Sequence, residues 1–141
     1  MTLSLLSLNV GSRRLVDSDL LVYGVCLAEE CPEALKEASR ERIPLGVCLE
    51  EHHMNVVGFK IATILKVAHP KSLAVLTVDG SPHCVQLHFA AEQARRLTDA
   101  KTELSHFVVE KGVLTQISSE TIRLARHLSA IQKRLEGRTG A

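Results

Sequence analysis

DLLVYGVCLAEECPEALKEASRERIPLGVCL, residues 19–49, is the stretch that decides the fold. Asp19 to Leu27 is a nearly unbroken apolar run with β-branched and aromatic members, the pattern of a strand. Pro32 to Arg42 has Pro at its first turn, acidic residues early and arginines late, which is the polarity of a helix. Ile43 to Leu49, IPLGVCL, is a second apolar run. Continuous apolar strands separated by helices lie parallel in a sheet that is covered on both faces.

The alternation continues outward. Asn55 to Ala68, NVVGFKIATILKVA, is a helix apolar nearly all round, so it is buried on two sides or faces a partner. Leu73 to Val78 is a third strand. Asp79-Gly80-Ser81-Pro82 forms a turn that starts a helix running to about Thr98. His106 to Ile117 reads as a hairpin turning at Lys111-Gly112. Ser118 or Ser119 caps a last helix to about Leu135, with Ile122, Leu124, Ala125, Leu128, Ile131 and Leu135 on one side. Met1 to Val10 is apolar, but it lacks the basic start and cleavage site of a signal peptide and reads as a strand. The expectation is a single α/β domain over residues 1–136. It is a three-layer sandwich on a mostly parallel sheet, Rossmann-like or flavodoxin-like, with a C-terminal hairpin and helix. Residues 137–141 are expected to form a disordered tail.

Composition supports a globular chain. With 141 residues and 45% apolar residues, the chain can bury a sizeable core without a staple. Aromatics are scarce, so Leu, Val, Ile and Ala must build that core. The net charge of +1 and the dispersed Lys and Arg give no basic face, which speaks against nucleic-acid binding. No apolar run is long enough to span a bilayer. A cytoplasmic protein with reduced cysteines is expected, and four such cysteines point to metal or redox chemistry more than to disulfides.

The cysteines fall in a pattern. Cys26 ends the first core strand, Cys31 precedes the following helix, Cys48 ends the second strand, and Cys84 sits at the start of the helix after the third. Three successive strand-to-helix connections thus bring cysteine to one edge of a parallel sheet, the edge where open α/β sheets bind ligands. His52 and His53 follow Cys48, and His83 and His88 flank Cys84; Cys84 and His88 share a helix face. Thiolates with imidazole suit zinc or an iron–sulfur cluster. Four cysteines would match a cluster; three with His88 would match zinc.

Two other readings compete. Cys84 at a helix start lies among unpaired amides that favour a thiolate nucleophile, with His83 or His88 as base. The same helix start, with Gly80 and Ser81, could hold an anionic cofactor group. The sequence has neither G-x-G-x-x-G nor a P-loop, so no nucleotide is indicated. Glu29-Glu30 and Glu50-Glu51 also follow strand ends and are candidate acid–base groups or solvated loop positions. His69, His106 and His127 read as structural or exposed.

VYGVCLAEECPEAL, GVCLEEHHMNVVGFKIATIL and VLTVDGSPHCVQLHF resemble a family of small uncharacterised proteins of anaerobic prokaryotes, some labelled as iron–sulfur proteins. The resemblance implies Cys26, Cys31, Cys48 and Cys84 as candidate ligands. The leading expectation is an iron–sulfur (4Fe-4S) protein of redox or electron transfer, with zinc as the alternative metal. A thiol enzyme of the sulfur-transfer type using Cys84 is the competing class, and a partner-binding subunit without chemistry is the third. A homodimer or a place in a larger oxidoreductase is expected, with Val56, Phe59 and Ile64 as contact candidates.

Overall fold

The computed structural model describes residues 3–139 and bears out the α/β architecture. Its elements are β1 (Leu3–Ser4), β2 (Asp19–Gly24), α1 (Leu27–Glu30), α2 (Pro32–Ala38), β3 (Ile43–Val47), α3 (Met54–Ala68), β4 (Ser72–Val78), α4 (Val85–Thr98), β5 (Glu103–Glu110), β6 (Val113–Ile117), α5 (Ser119–Ala125) and α6 (Leu128–Thr139). One sheet has the order β1-β3-β2-β4-β5-β6. All neighbours are parallel except β5 and β6, which form the expected hairpin. Lys111 and Gly112 turn it with positive φ angles of 51° and 79°, the conformation that two-residue hairpin loops favour.

Strand periodicity divides the core. Leu20 and Val22 of β2, with Leu73 and Val75 of β4, pack under α3 and α4, against Val57, Ile61, Leu65, Leu87 and Ala91. Leu21, Tyr23, Ala74 and Leu76 alternate to the opposite face and meet Leu27, Ala34 and Ala38 of α1 and α2. Each fully buried Leu or Val contributes about 1.5–3 kcal/mol of transfer free energy, so both faces bind the sheet to its helical layers.

The chain runs from β2 outward to β3 and then crosses to β4 on the other side of β2. The strand order therefore reverses between β2 and β4. At such a reversal the connecting segments leave in opposite directions and open a crevice beyond the carboxyl ends of the two strands.

Several elements differ from expectation. The expected strand from Met1 to Val10 is only Leu3–Ser4 among the described residues; Leu5 then turns into the core, and the carbonyls of Leu6 and Leu8 accept hydrogen bonds from the Lys60 ammonium instead of a strand. The last helix is two helices. Ser118 caps α5 through its hydroxyl, at 3.0 Å from the Thr121 amide, and the chain breaks at Arg126–His127 before α6. Leu128 and Leu135 are exposed and build no core face. Helix α6 continues through Gly137 and Arg138 to Thr139, where a disordered tail was expected; residues 140 and 141 lie outside the described ones. On α3, Ile64 is buried with Val57 and Ile61 and is no contact residue, whereas Val56 and Phe59 are exposed.

Candidate functional site

The crevice between β2 and β4 holds a cavity of about 270 Å³. Cys26, Cys48 and Cys84 all line it, together with Gly24, Thr77, Ser81, His83, Glu30 and Glu50. Each arrives by the same device: β2, β3 and β4 end, and the next turn carries the side chain over the strand ends. Cys31 does not line this cavity. It sits between α1 and α2 and packs against the Leu21–Tyr23 side of the core, because its backbone (φ −141°, ψ 62°) breaks the two helices apart and turns it away. The expected set of four ligands is therefore three on one cavity and one elsewhere. Among the described residues, no three His, Cys, Asp or Glu side chains are placed to hold a metal ion as they stand.

Cys26 and Cys84 form a pair. Their sulfurs lie 3.9 and 3.8 Å from the point where a Cβ on Gly24 would stand, so both converge over the end of β2. Glycine there leaves the space that the two thiols share. All four cysteines are free thiols. Burial pushes the Cys26 thiol up, and the neighbouring Cys84, by charge and by hydrogen bonding, and the Glu30 carboxylate push it further. Cys26 is thus held as the protonated partner of the pair.

The turn after β4 carries the remaining expected residues. Gly80 has φ 90° and lets the chain reverse. The Ser81 hydroxyl accepts from the Cys84 amide at 3.3 Å within the turn that leads into α4, and so occupies one of the amides an anion would need. His83 stands at the cavity mouth, its Nδ1 3.8 Å from Glu50; both are exposed, so this pair adds little to stability. His52 is exposed, and His53 caps α3 by accepting from the Asn55 amide at 3.1 Å.

His88 does not serve Cys84. Its Nε2 meets Thr77 Oγ1 at 2.8 Å and its Nδ1 meets His106 Nδ1 at 2.9 Å, so both ring nitrogens are committed. It is removed from the candidate bases and ligands for that reason. His106 continues the chain to Glu92, at 2.7 Å from Nε2, and Ser119 donates to the same carboxylate oxygen at 2.7 Å. Thr77, His88 and His106 are each at most 1% exposed. Burial, with His106 beside it, pushes His88 down to about 3 against an opposing effect of Glu92. Burial also lowers His106, opposed by its hydrogen bond to Glu92. Sequence reading missed this chain, because Thr77, His88, Glu92 and His106 come from β4, α4 and β5. The one available signal was the polar pair His88 and Glu92 at i, i+4 on a helix whose other face is apolar.

A family model described as a Rossmann-like domain matches residues 12–139, nearly the whole chain. No curated protein and no solved structure matches it. The chain belongs to this Rossmann-like domain family.

Proposed function

With a Rossmann-like domain as the frame, we propose that the crevice works through a dithiol: Cys26 and Cys84 cycle between two thiols and a disulfide, in exchange with an external disulfide. The convergence of both sulfurs over Gly24 carries this reading. The roles follow from the environments. Cys26 is disfavoured as a thiolate, so attack falls to Cys84, which lines the same cavity at the N-cap of α4. The Cys84 thiolate attacks the external disulfide, forms a mixed disulfide and expels one thiolate. Cys26 then loses its proton and attacks the Cys84 sulfur, closing the Cys26–Cys84 bond and releasing the second thiol. The external disulfide is reduced by two electrons and the protein pair is oxidised by two.

The test uses oxidised glutathione. In Cys26→Ser, a stable glutathione adduct should accumulate on Cys84, because nothing resolves it. In Cys84→Ser, Cys26 should react far more slowly. A wild-type protein that accumulates a lasting adduct on Cys84, without closing onto Cys26, would overturn the assignment.

One observation favours a second reading. Cys48 lines the same cavity, and three thiolates suit a thiophilic centre, zinc or an iron–sulfur cluster, with the fourth position left to another ligand. Iron, zinc and sulfide analysis after anaerobic purification distinguishes it from the dithiol. Among the described residues, no helix is long and apolar enough to cross a membrane. The exposed apolar residues of α3, Val56, Phe59 and Val67, support association with a second copy or a larger oxidoreductase.

A further inference from the structure

Helix α4 carries Cys84 at its N-cap and must hold that sulfur over the end of β2, beside Cys26. The buried side chains of α4 are Leu87, His88, Ala90, Ala91 and Ala94, so three of the five are alanines. Alanine gives shallow ridges with no rotamer to interlock, and apolar burial has no direction. Such a face resists sliding and rolling only weakly. Hydrogen bonds do have direction, and they weaken steeply when bent.

His88 supplies two such bonds, one turn along α4 from Cys84. Its Nε2 lies 2.8 Å from the hydroxyl of Thr77, the last residue but one of β4, and its Nδ1 lies 2.9 Å from His106 on β5. All three residues are at most 1% exposed, so water does not compete for these bonds, and breaking one strands a buried polar group. Thr77 and His88 stand on either side of the turn that carries Gly80, Ser81 and Cys84, and their bond spans it. The far end of α4 is tied separately, through Arg95 Nε at 2.9 Å from the Thr102 carbonyl.

We propose that His88, which is neither base nor ligand to Cys84, is a positioning residue for the dithiol. By tying the first turns of α4 to β4 and β5, it fixes the Cys84 sulfur within reach of Cys26. The inference rests on the same convergence over Gly24 as the dithiol reading, but it concerns where the sulfurs stand and not whether they are oxidised.

Dibromobimane tests this without redox chemistry, because it joins two neighbouring thiols by displacing two bromides. Peptide mass spectrometry reads the Cys26–Cys84 bridge in the reduced full chain. His88→Leu deletes both bonds and keeps a side chain of comparable size. It should stay folded by circular dichroism and bridge at least about tenfold more slowly, since a misplacement of about 1 Å can cost a reaction between positioned groups roughly a hundredfold. Its equilibrium constant for the Cys26–Cys84 disulfide against glutathione should fall by a similar factor. His88→Gln offers an oxygen to the Thr77 hydroxyl and an N–H to His106, and should restore both quantities to within about twofold. Thr102→Val removes a buried bond of 2.7 Å to the Pro70 carbonyl at the opposite end of the sheet, and should lower stability while leaving bridging unchanged. If His88→Leu does not fold, Thr77→Val, which deletes only the tie to β4, decides by the same readout and should slow bridging about threefold or more. Bridging at the wild-type rate in the folded variant, a His88→Gln as slow as His88→Leu, or equal slowing by Thr102→Val would each overturn the proposal. Bridging in wild type without a glutathione-driven disulfide would sink the dithiol reading alone and leave the positioning role standing. No bridging in wild type would overturn both.

Discussion

Acid should unfold this protein through His88 before its carboxylates respond. His88 is 1% exposed, and burial lowers its folded-state value to about 3 from an ordinary 6.5. Above pH 6.5 the ring is neutral whether folded or unfolded, and it makes no difference to stability. Below pH 6.5 the unfolded chain takes up a proton that the folded chain refuses, so stability falls with pH. The slope is about 1.4 kcal/mol per pH unit for one histidine, and between pH 6.5 and 5 His88 alone removes roughly 2 kcal/mol. That is a large share of a typical domain stability of about 5–15 kcal/mol. His106 shifts in the same direction and steepens the fall. Glu92 does not contribute in this window. Burial works to raise it, but hydrogen bonds from His106 and Ser119 prevail and lower it, so its stabilisation is lost only below the ordinary carboxylate range. Urea unfolding followed by far-ultraviolet circular dichroism suits a chain without Trp. His88→Gln keeps an acceptor for Thr77 and a donor for His106, and should flatten the slope by about one proton. A stability that does not change between pH 7 and 5, or a slope unaltered in His88→Gln, would rule out His88 as the acid-sensitive group.

Three further outcomes follow from the packing. A Cβ on Gly46 would stand 2.9 Å from Val25 Cγ1 and 3.0 Å from the Tyr23 hydroxyl, so Gly46→Ala should cost about 1–3 kcal/mol in urea unfolding. Gly24→Val should keep the fold, by circular dichroism, yet block closure of the Cys26–Cys84 disulfide by inserting methyl groups between the sulfurs, leaving glutathione on Cys84. Phe59, 77% exposed on α3, should tolerate change to Asp with under about 0.5 kcal/mol lost, while sedimentation of any dimer formed through α3 shifts to monomer.

The sheet was legible because its strands are apolar on both faces. DLLVYG and LAVLTV have no polar alternation, and that pattern requires helices above and below. The hairpin was legible from Lys111-Gly112 and the turn leading into α4 from Ser81-Pro82, although the helix itself begins only at Val85. The N-terminal segment was misread because apolar content alone does not separate a strand from a turn that inserts Leu5 into the core; the Lys60 ammonium that holds it is far away in sequence. The break between α5 and α6 carries neither Pro nor Gly, so helical periodicity ran across it. For the site, position along the chain was enough to bring Cys26, Cys48 and Cys84 to one edge, since strand ends in a parallel sheet share that edge. It could not place Cys31, whose direction depends on the kink between α1 and α2. Nor could it orient His88, because a residue four after Cys84 on one helix can still turn inward when Thr77 and His106 offer it partners.

If Cys26 and Cys84 act as a redox pair, an oxidising glutathione buffer must join them to each other. The most direct measurement equilibrates metal-free full-length protein across a series of reduced and oxidised glutathione ratios. Each sample is then acid-quenched, its free thiols are alkylated, and its disulfides are mapped by peptide mass spectrometry. Two thiols should be lost together in one two-electron transition, with Cys26 joined to Cys84, while Cys31 and Cys48 remain alkylated as free thiols. A Cys26 and Cys84 that both stay free at the oxidising end, or that pair with Cys31 or Cys48 instead of each other, would rule out the redox pair.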